Sequence, residues 1–520
     1  MIRRRAAEAG APELPGPPSP PAPGGEVAAA PHRSPSLITL VLCLTGTSVA
    51  LLQTMVVPIL PEFPTIFGVR ADDASWLITI TLLTAAVGTP LISRLADMVG
   101  KKRMLQVSLA FMVTGSALPA VSASFAAAVV GRGLQGFAIA LIPVGISLLR
   151  DHLPARKVAG ATALMSATLG IGSALALPLA GMIDAAIGWQ GIFWVPAAFG
   201  AIMLVAVRIV VPESPVRTGG RFDWFGALLL SGALTALLMA ITKGGAWGWS
   251  SPGTLATFAL AAALLVVWIP FERRVTNPLV DLRTSTRRPV LLTNAASALV
   301  GFSMYANMLL TTQQLQLPDS LAHGFGLSVM AAGFAMIPGG MAMALFSPFS
   351  AYITNRRGPR TTLFVGAAVM AVAYLARTQL DHSVAFIVLG AMFVSIGTAI
   401  TYSSMPMLIM ESVPRTETAS ANGLNSLLRS IGTSTASAVV AALLTAMTVT
   451  AADLAAGQAG GVPGSLAHLP APGAFDTAYY AAAGAAALAC AVALLIPKPA
   501  RGGRGAQGRT PHHDRISPEA

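Results

Sequence analysis

The chain has 520 residues, of which 54% are hydrophobic and 10% charged, with a mean hydropathy of +0.69. A soluble domain carries roughly 25% charged residues, so the apolar excess must face something other than a core, and lipid is the solvent that accepts it. The formal charge of +12 does not point to nucleic acid, because the basic residues sit in short loops between apolar runs and form no patch or stripe.

In chain order, residues 1–36 come first. Nine prolines fall within 11–36, so this stretch reads as a disordered cytosolic tail. Arg3-Arg4-Arg5 resembles the start of a signal peptide, but no apolar run follows it directly. Fourteen segments are then long and apolar enough to cross roughly 30 Å of hydrocarbon. They cover about 37–60, 74–93, 104–122, 125–149, 158–183, 189–211, 223–242, 253–271, 289–314, 327–353, 361–380, 384–410, 418–448 and 476–496. Lipid leaves helices or closed barrels as options, and runs this long and this rich in Ala, Leu, Val and Gly are helices. Residues 497–520 form a second, basic tail. Cys43 and Cys490 lie inside apolar runs and read as small buried hydrophobes, with no disulfide framework and no metal cluster in prospect.

The basic residues orient the spans. With both tails in the cytosol, the outer loops hold only Arg70, Lys243 and Arg377, while Arg132 and Arg429 lie within spans. The remaining 28 of the 33 Lys and Arg fall inside. Acids do not share the bias, since Glu62, Asp72, Asp73, Asp184, Asp319, Asp381, Asp453 and Asp476 fall outside. The protein is therefore expected in the inner (cytoplasmic) cell membrane, as a multi-pass chain with both termini cytosolic.

A dense knot of charge, Ser93-Arg-Leu-Ala-Asp-Met-Val-Gly-Lys-Lys-Arg103, follows the second span. A weaker copy, Ala351-Tyr-Ile-Thr-Asn-Arg-Arg-Gly-Pro-Arg360, follows the tenth. Each sits after the second span of a six-span set, which gives six spans over 37–211, two extra spans within a linker over 212–288, and six spans over 289–496. Parallel six-span repeats are a transporter layout.

The first loop resembles the signature of the major facilitator superfamily between its second and third helices. Leu95, Ala96, Asp97, Gly100, Lys101, Lys102 and Arg103 match, and Ser93 stands where the family has Gly. The resemblance implies that Asp97 makes a charge contact with the start of a helix in the other half, near Glu417, and favours one transport state. In the second copy the acid is replaced by Asn355, beside Arg356, Gly358 and Arg360, so any latch is expected to be lopsided. Gly131-Arg132-Gly-Leu-Gln135-Gly136 resembles a family motif in the fourth span. An arginine in a span is costly and should face a cavity or a partner; by resemblance it influences proton transfer. The fifth span carries small residues at helical spacing, with Ser166, Gly170 and Ala174 on one ridge and Thr168, Gly172, Ala176 and Ala180 beside it, and such ridges allow close helix packing. Gly172, Pro178 and Gly181 lie in a stretch similar to the family's antiporter motif, with Leu177 and Met182 in place of glycines. Trp189-Gln-Gly-Ile-Phe193 is similar to the start of the family's sixth span. Together these features resemble the 14-span drug:proton antiporter branch over about residues 37–496. The fold this implies is all-α and polytopic, with two six-helix halves plus two central helices, and the protein is not an enzyme.

The pattern breaks in the first span, where Leu52 and Val57 replace an acid and an amide common in that branch. No Asp, Glu or His lies near the middle of any span, although a proton-coupled pump usually needs a buried carboxylate that titrates near neutral pH. The fold implies a cavity to which Gln53, Trp76, Tyr305, Asn307, Gln314 and Tyr402 are candidate contributors, with Arg132 and Arg429 the deep charges. The expected substrates are then neutral or weakly anionic amphipaths rather than dications. The expected activity is export of small amphipathic compounds by a monomer, driven by the proton motive force with no bound cofactor. Open alternatives are a proton-coupled importer of the same fold and a non-transporting membrane receptor or scaffold.

Overall fold

A computed structural model describes residues 34–319, 321, 323–380, 383–448 and 469–497, apart from the side chains of 61, 71 and 72. Most of the two expected tails, and Asp381 and Asp453, lie outside the described residues. Among the described residues, fourteen helices are long and apolar enough to span a membrane. They are α1 Pro35–Thr54, α2 Trp76–Val99, α3 Lys101–Ser122, α4 Phe125–His152, α5 Ala155–Ile187, α6 Gly191–Val210, α7 Trp224–Trp247, α8 Pro252–Glu272, α9 Arg288–Gln316, α10 Val329–Arg357, α11 Pro359–Arg377, α12 Val384–Ser412, α13 Thr418–Ala446 and α14 Pro472–Leu495.

The helix edges depart from the sequence reading where local chemistry dictates. The first span was expected to reach residue 60. Its helix stops at Thr54, just before Pro58, which has no N–H to continue the ladder. The two charged loops prove to be single-residue joints. Helix α2 runs through Asp97 to Val99 and α3 begins at Lys101, leaving only Gly100 between them at φ 135°. Likewise α10 runs to Arg357 and α11 starts at Pro359, with Gly358 at φ 86°. Both joints use a backbone conformation that side-chain-bearing residues rarely adopt.

The six-helix repeat shows in the pairings. Within the first half, α1 packs on α5, α2 on α4, and α3 on α4 and α6. The second half repeats this as α9 on α13, α10 on α12, and α11 on α12 and α14. The halves meet through the matching crossed pairs α5 with α10 and α2 with α13. The two additional helices pack on each other, and α7 also leans on both α2 and α13, bracing that seam from outside.

Small residues set the close approaches, and in lipid such packing replaces the hydrophobic effect as the force between helices. The two ridges of α5 serve different partners. Gly172 meets Ala50 and the Thr47 carbonyl of α1, whereas Gly170 and Ala174 meet Met343 and Gly340 of α10. Leu177, in a position where the resemblance expected glycine, packs beneath Gly333 of α10, so the small residue has moved to the facing helix. Pro178 lies inside an uninterrupted α5. At the end of the bundle away from Gly100, Phe63, Phe67, Phe125, Trp189 and Phe193 form an aromatic cluster that closes the first half.

A Cβ on Gly340 would overlap that of Ala174 and come within 2.8 Å of the Gly170 carbonyl, whereas one on Gly160 would meet nothing within 4 Å. Gly340→Val is therefore expected to cost about 1–3 kcal/mol, read as a lower thermal unfolding midpoint. Gly160→Ala is expected to leave that midpoint unchanged or raise it.

Candidate functional site

The end of the bundle holding Gly100 and Gly358 is the basic end. There α2 crosses α13 at Ser93 and Gly423, where a Cβ on Gly423 would lie 2.5 Å from Ser93 Oγ. The sequence motif shows Ser93 where glycine was expected, and the facing glycine makes the room. One turn further, fully buried Asp97 points at the start of α13. Its Oδ2 accepts from Ser420 N at 2.8 Å and its Oδ1 from Ala419 N at 3.2 Å. The first N–H groups of a helix have no partner inside it, and they carry the positive end of the helix dipole. Lys101 Nζ lies 3.8 Å from Asp97 Oδ1.

Three cations at the start of α3 oppose that helix's own dipole. The structure compensates with carboxylates from elsewhere. Lys101 Nζ pairs with Asp151 Oδ2 at 2.6 Å, with both side chains buried. Glu213 Oε1 accepts from Lys102 N at 2.9 Å, and the same carboxyl fills the space where a Cβ on Gly100 would sit, 2.8 Å from Oε2. Lys102 Nζ donates to the Arg208 carbonyl, while Arg103 sits in the first turn of α3. The segment after α6 then runs across the joint toward the second half. Ser214 Oγ donates to Asp151 Oδ2 at 2.6 Å, Thr218 N to the Asp97 carbonyl at 2.7 Å, and Thr218 Oγ1 to the Thr416 carbonyl at 3.4 Å. Arg150 adds a direct bond across the halves, from Nη1 to Thr418 Oγ1 at 2.6 Å. The clasp thus comprises Asp97, Lys101, Asp151, Arg150, Glu213 and Thr218. Sequence reasoning missed Arg150, Asp151 and Glu213. The only signal for them was charge placed directly after the fourth and sixth spans.

Among the described residues, the second joint makes no such bridge. Asn355 is exposed, and Arg356 stacks over Tyr352 of its own helix at 5.3 Å. Arg360 donates to the Ala493 carbonyl at 3.1 Å and to that of Leu494, capping the open carbonyls of α14.

Arg132 is 2% exposed and meets no carboxylate among the described residues. Its Nε donates to the Leu77 carbonyl at 3.0 Å, and its Nη1 to the Leu52 carbonyl at 3.2 Å and to Gln135 Oε1 at 2.8 Å. Gln135 Nε2 in turn donates to Ser116 Oγ. The Leu52 carbonyl is free because α1 ends at Thr54, so the arginine caps a broken helix and joins α1, α2, α3 and α4.

Arg429 lies over the Tyr402 ring at 4.2 Å and donates to Ser426 Oγ. The sequence reading places Arg377 in an outer loop, a placement the structure corrects; Asn307 and Gln314, candidate contributors to the cavity, belong to the hydrogen-bond network around Arg377. Arg377 ends α11, is 2% exposed, and donates to Asn307 Oδ1 at 2.6 Å, Thr311 Oγ1 at 3.0 Å and the Tyr479 hydroxyl at 2.8 Å. Tyr479 donates to Gln314 Oε1 at 2.6 Å. Asn307 and Gln314 thus take part in a polar network inside the second half, since a buried guanidinium must be hydrogen-bonded. Lys243, also read as an outer-loop cation, is buried with its Nζ on Ser75 Oγ at 2.6 Å and over the Trp76 ring at 4.8 Å. That places Trp76 on the α2–α7 contact. Gln53 and Tyr305 are half-buried, and Tyr305 packs against the core of the second half. Gly172 and Gly181 both face neighbouring helices, and a Cβ on Gly181 would lie 3.2 Å from Met330.

Fourteen apolar helices among the described residues, two repeated sets of six joined by crossed seams plus two additional helices, define a multi-pass membrane transporter. The chain belongs to the Major Facilitator Superfamily, whose profile matches residues 42–437 and again 317–518. It is 29% identical to the multidrug resistance protein Stp of Mycobacterium tuberculosis, over 78% of this chain and 75% of that protein. It is 27% identical to the tetracenomycin C resistance and export protein of Streptomyces glaucescens, over 77% and 74%. Among solved structures, the human organic anion transporter MFSD10 superposes with a TM-score of 0.61 at 16% identity, covering 89% of this chain and all of that one. That likeness concerns the fold alone.

Removing the Arg132 side chain would orphan acceptors at Leu52 and Gln135, while the Leu77 carbonyl keeps Thr81 Oγ1. Arg132→Ala is expected to destabilise by about 2–4 kcal/mol, since each buried unpaired group costs about 1–3 kcal/mol and some relax. Arg132→Lys, which lacks the planar fork, should recover only part. Thermal unfolding in detergent measures both, and equal midpoints for wild type and Arg132→Ala would contradict the assignment.

Proposed function

We propose that the protein exports small amphipathic compounds across the cell membrane, in exchange for protons, by rocking its two halves about a central site. In this reading it works as a monomer with both termini in the cytosol and the basic end facing that side, where the excess of basic residues would hold it. The observation that carries the reading is the Asp97 clasp. It closes the basic end through bonds between the halves, and opening that end must break them. Support for export comes from the two relatives named for drug or antibiotic resistance. The buried side-chain carboxylates among the described residues, Asp97, Asp151 and Glu272, all lie toward the basic end, whereas Arg132, Arg377 and Arg429 lie deeper or toward the other end. A site bounded by cations favours neutral or weakly anionic amphipaths over dications.

Inverted membrane vesicles given a proton gradient and a compound panel test this. Export predicts compound uptake into the vesicles with dissipation of the gradient. Asp97→Asn and Arg132→Ala should each reduce that uptake at least tenfold while the protein remains in the membrane. Flux of compound and proton in the same direction would identify an importer, and absence of any coupled flux a receptor. Resistance chiefly to divalent cationic antiseptics would contradict the substrate class.

A further inference from the structure

Two acidic residues on the additional helices take part in neither the clasp nor the arginine networks. Asp223 caps α7, its Oδ1 accepting from Gly226 N at 2.9 Å. Glu272 ends α8, is 2% exposed, and its Oε1 accepts from Val280 N at 2.8 Å. The second oxygens, Asp223 Oδ2 and Glu272 Oε2, are both buried without a hydrogen-bond partner. They are neighbours flanking Gly226, because a Cβ built there would overlap Asp223 Oδ2 and lie 2.6 Å from Glu272 Oε2. Trp268, one turn before Glu272 and 6% exposed, turns its indole N–H toward the same carboxyl without reaching hydrogen-bond geometry.

The surrounding charges do not neutralise the pair. Among the described residues neither carboxyl forms an ion pair. Arg221, Arg273 and Arg274, the nearest cations in sequence, are exposed. From the elements packed alongside, Arg94 of α2 faces Glu417, and Asp281 of the following link is bonded to its own helix start at Arg283 N and Thr284 N. Two neighbouring ionised carboxylates in a low-dielectric setting repel each other strongly. One proton removes the repulsion and supplies both missing partners, a donor for one oxygen and an acceptor for the other.

We propose that Asp223 and Glu272 jointly bind one proton, held on Glu272 and donated to Asp223, at the base of α7 and α8. Asp223 keeps its negative charge, which the N-terminus of α7 favours. The bound proton ties α7 to α8 and, through Val280, to the link leading into the second half. Because α7 leans on both α2 and α13, the site couples local pH to the brace across the seam. It is distinct from any proton that is exchanged for substrate, and it stands whether or not export is proton-driven.

Infrared difference spectroscopy of the full-length protein in nanodiscs, titrated upward in pH, tests the site. Expected is a carbonyl stretch from a buried protonated carboxyl that vanishes on deprotonation, is lost in Glu272→Gln, moves in frequency in Asp223→Asn, and persists in Asp97→Asn. If Glu272→Gln does not fold, the shift in Asp223→Asn decides, since that variant keeps a side chain able to cap α7. Absence of such a band from the wild type, or a band unmoved by either substitution, overturns the proposal.

Discussion

A carboxylate from one half set against the first turn of a helix from the other is the contact on which the basic end depends. Asp97 is fully buried, and burying an ionised carboxylate is prohibitive unless it is paired and hydrogen-bonded. Two backbone N–H groups of α13 and the ammonium of Lys101 meet that need. Charge-assisted bonds contribute about 1.5–3 kcal/mol each, but opening the clasp returns the carboxylate to water, so the net preference for closure is far smaller than their sum. A clasp of that kind biases a two-state equilibrium without locking it, which suits a transporter that must cycle.

The clasp works because its surroundings are fixed. Gly423 lets α2 and α13 approach at Ser93, Gly100 turns the chain within one residue, and Glu213 and Asp151 counter the cations that would otherwise sit unopposed at the start of α3. The strap from Ser214 to Thr218 carries the network from the first half to the second. Arg132 and Arg377 follow a different rule. Neither has an acidic partner among the described residues; both donate to carbonyls, amides and hydroxyls, and Arg377 Nε is left buried without a partner. Such acceptors hold a buried cation in place while leaving its charge uncompensated inside the bundle.

Much of this was legible in the sequence because membrane spans are governed by length and composition alone. Fourteen runs gave fourteen helices, and the repeated charged joints marked the six-helix period. The errors arose where a residue's role is set by its partners across the fold. Arg377 and Lys243 sit at helix ends, so hydropathy placed them in water, yet each bends back onto neighbours that the sequence does not reveal. Asn307 and Gln314 are cavity candidates by the spans they lie on, and only the fold shows that they join the network around Arg377. The departures at Ser93 and Leu177 looked like damage to a motif. In three dimensions the facing residues Gly423 and Gly333 restore the space. One chain read alone cannot show that exchange, because the compensating residue is more than 150 positions away.

The most direct test is the separation of the two halves at the basic end. Spin labels at exposed positions Arg156 and Arg356, introduced as cysteines in a chain with Cys43 and Cys490 replaced by alanine, would report it by pulsed electron resonance in nanodiscs. A clasp centred on Asp97 predicts one dominant short distance in the otherwise unaltered protein and a shift toward longer, broader distances in Asp97→Asn. Identical distance distributions for the two proteins would contradict it.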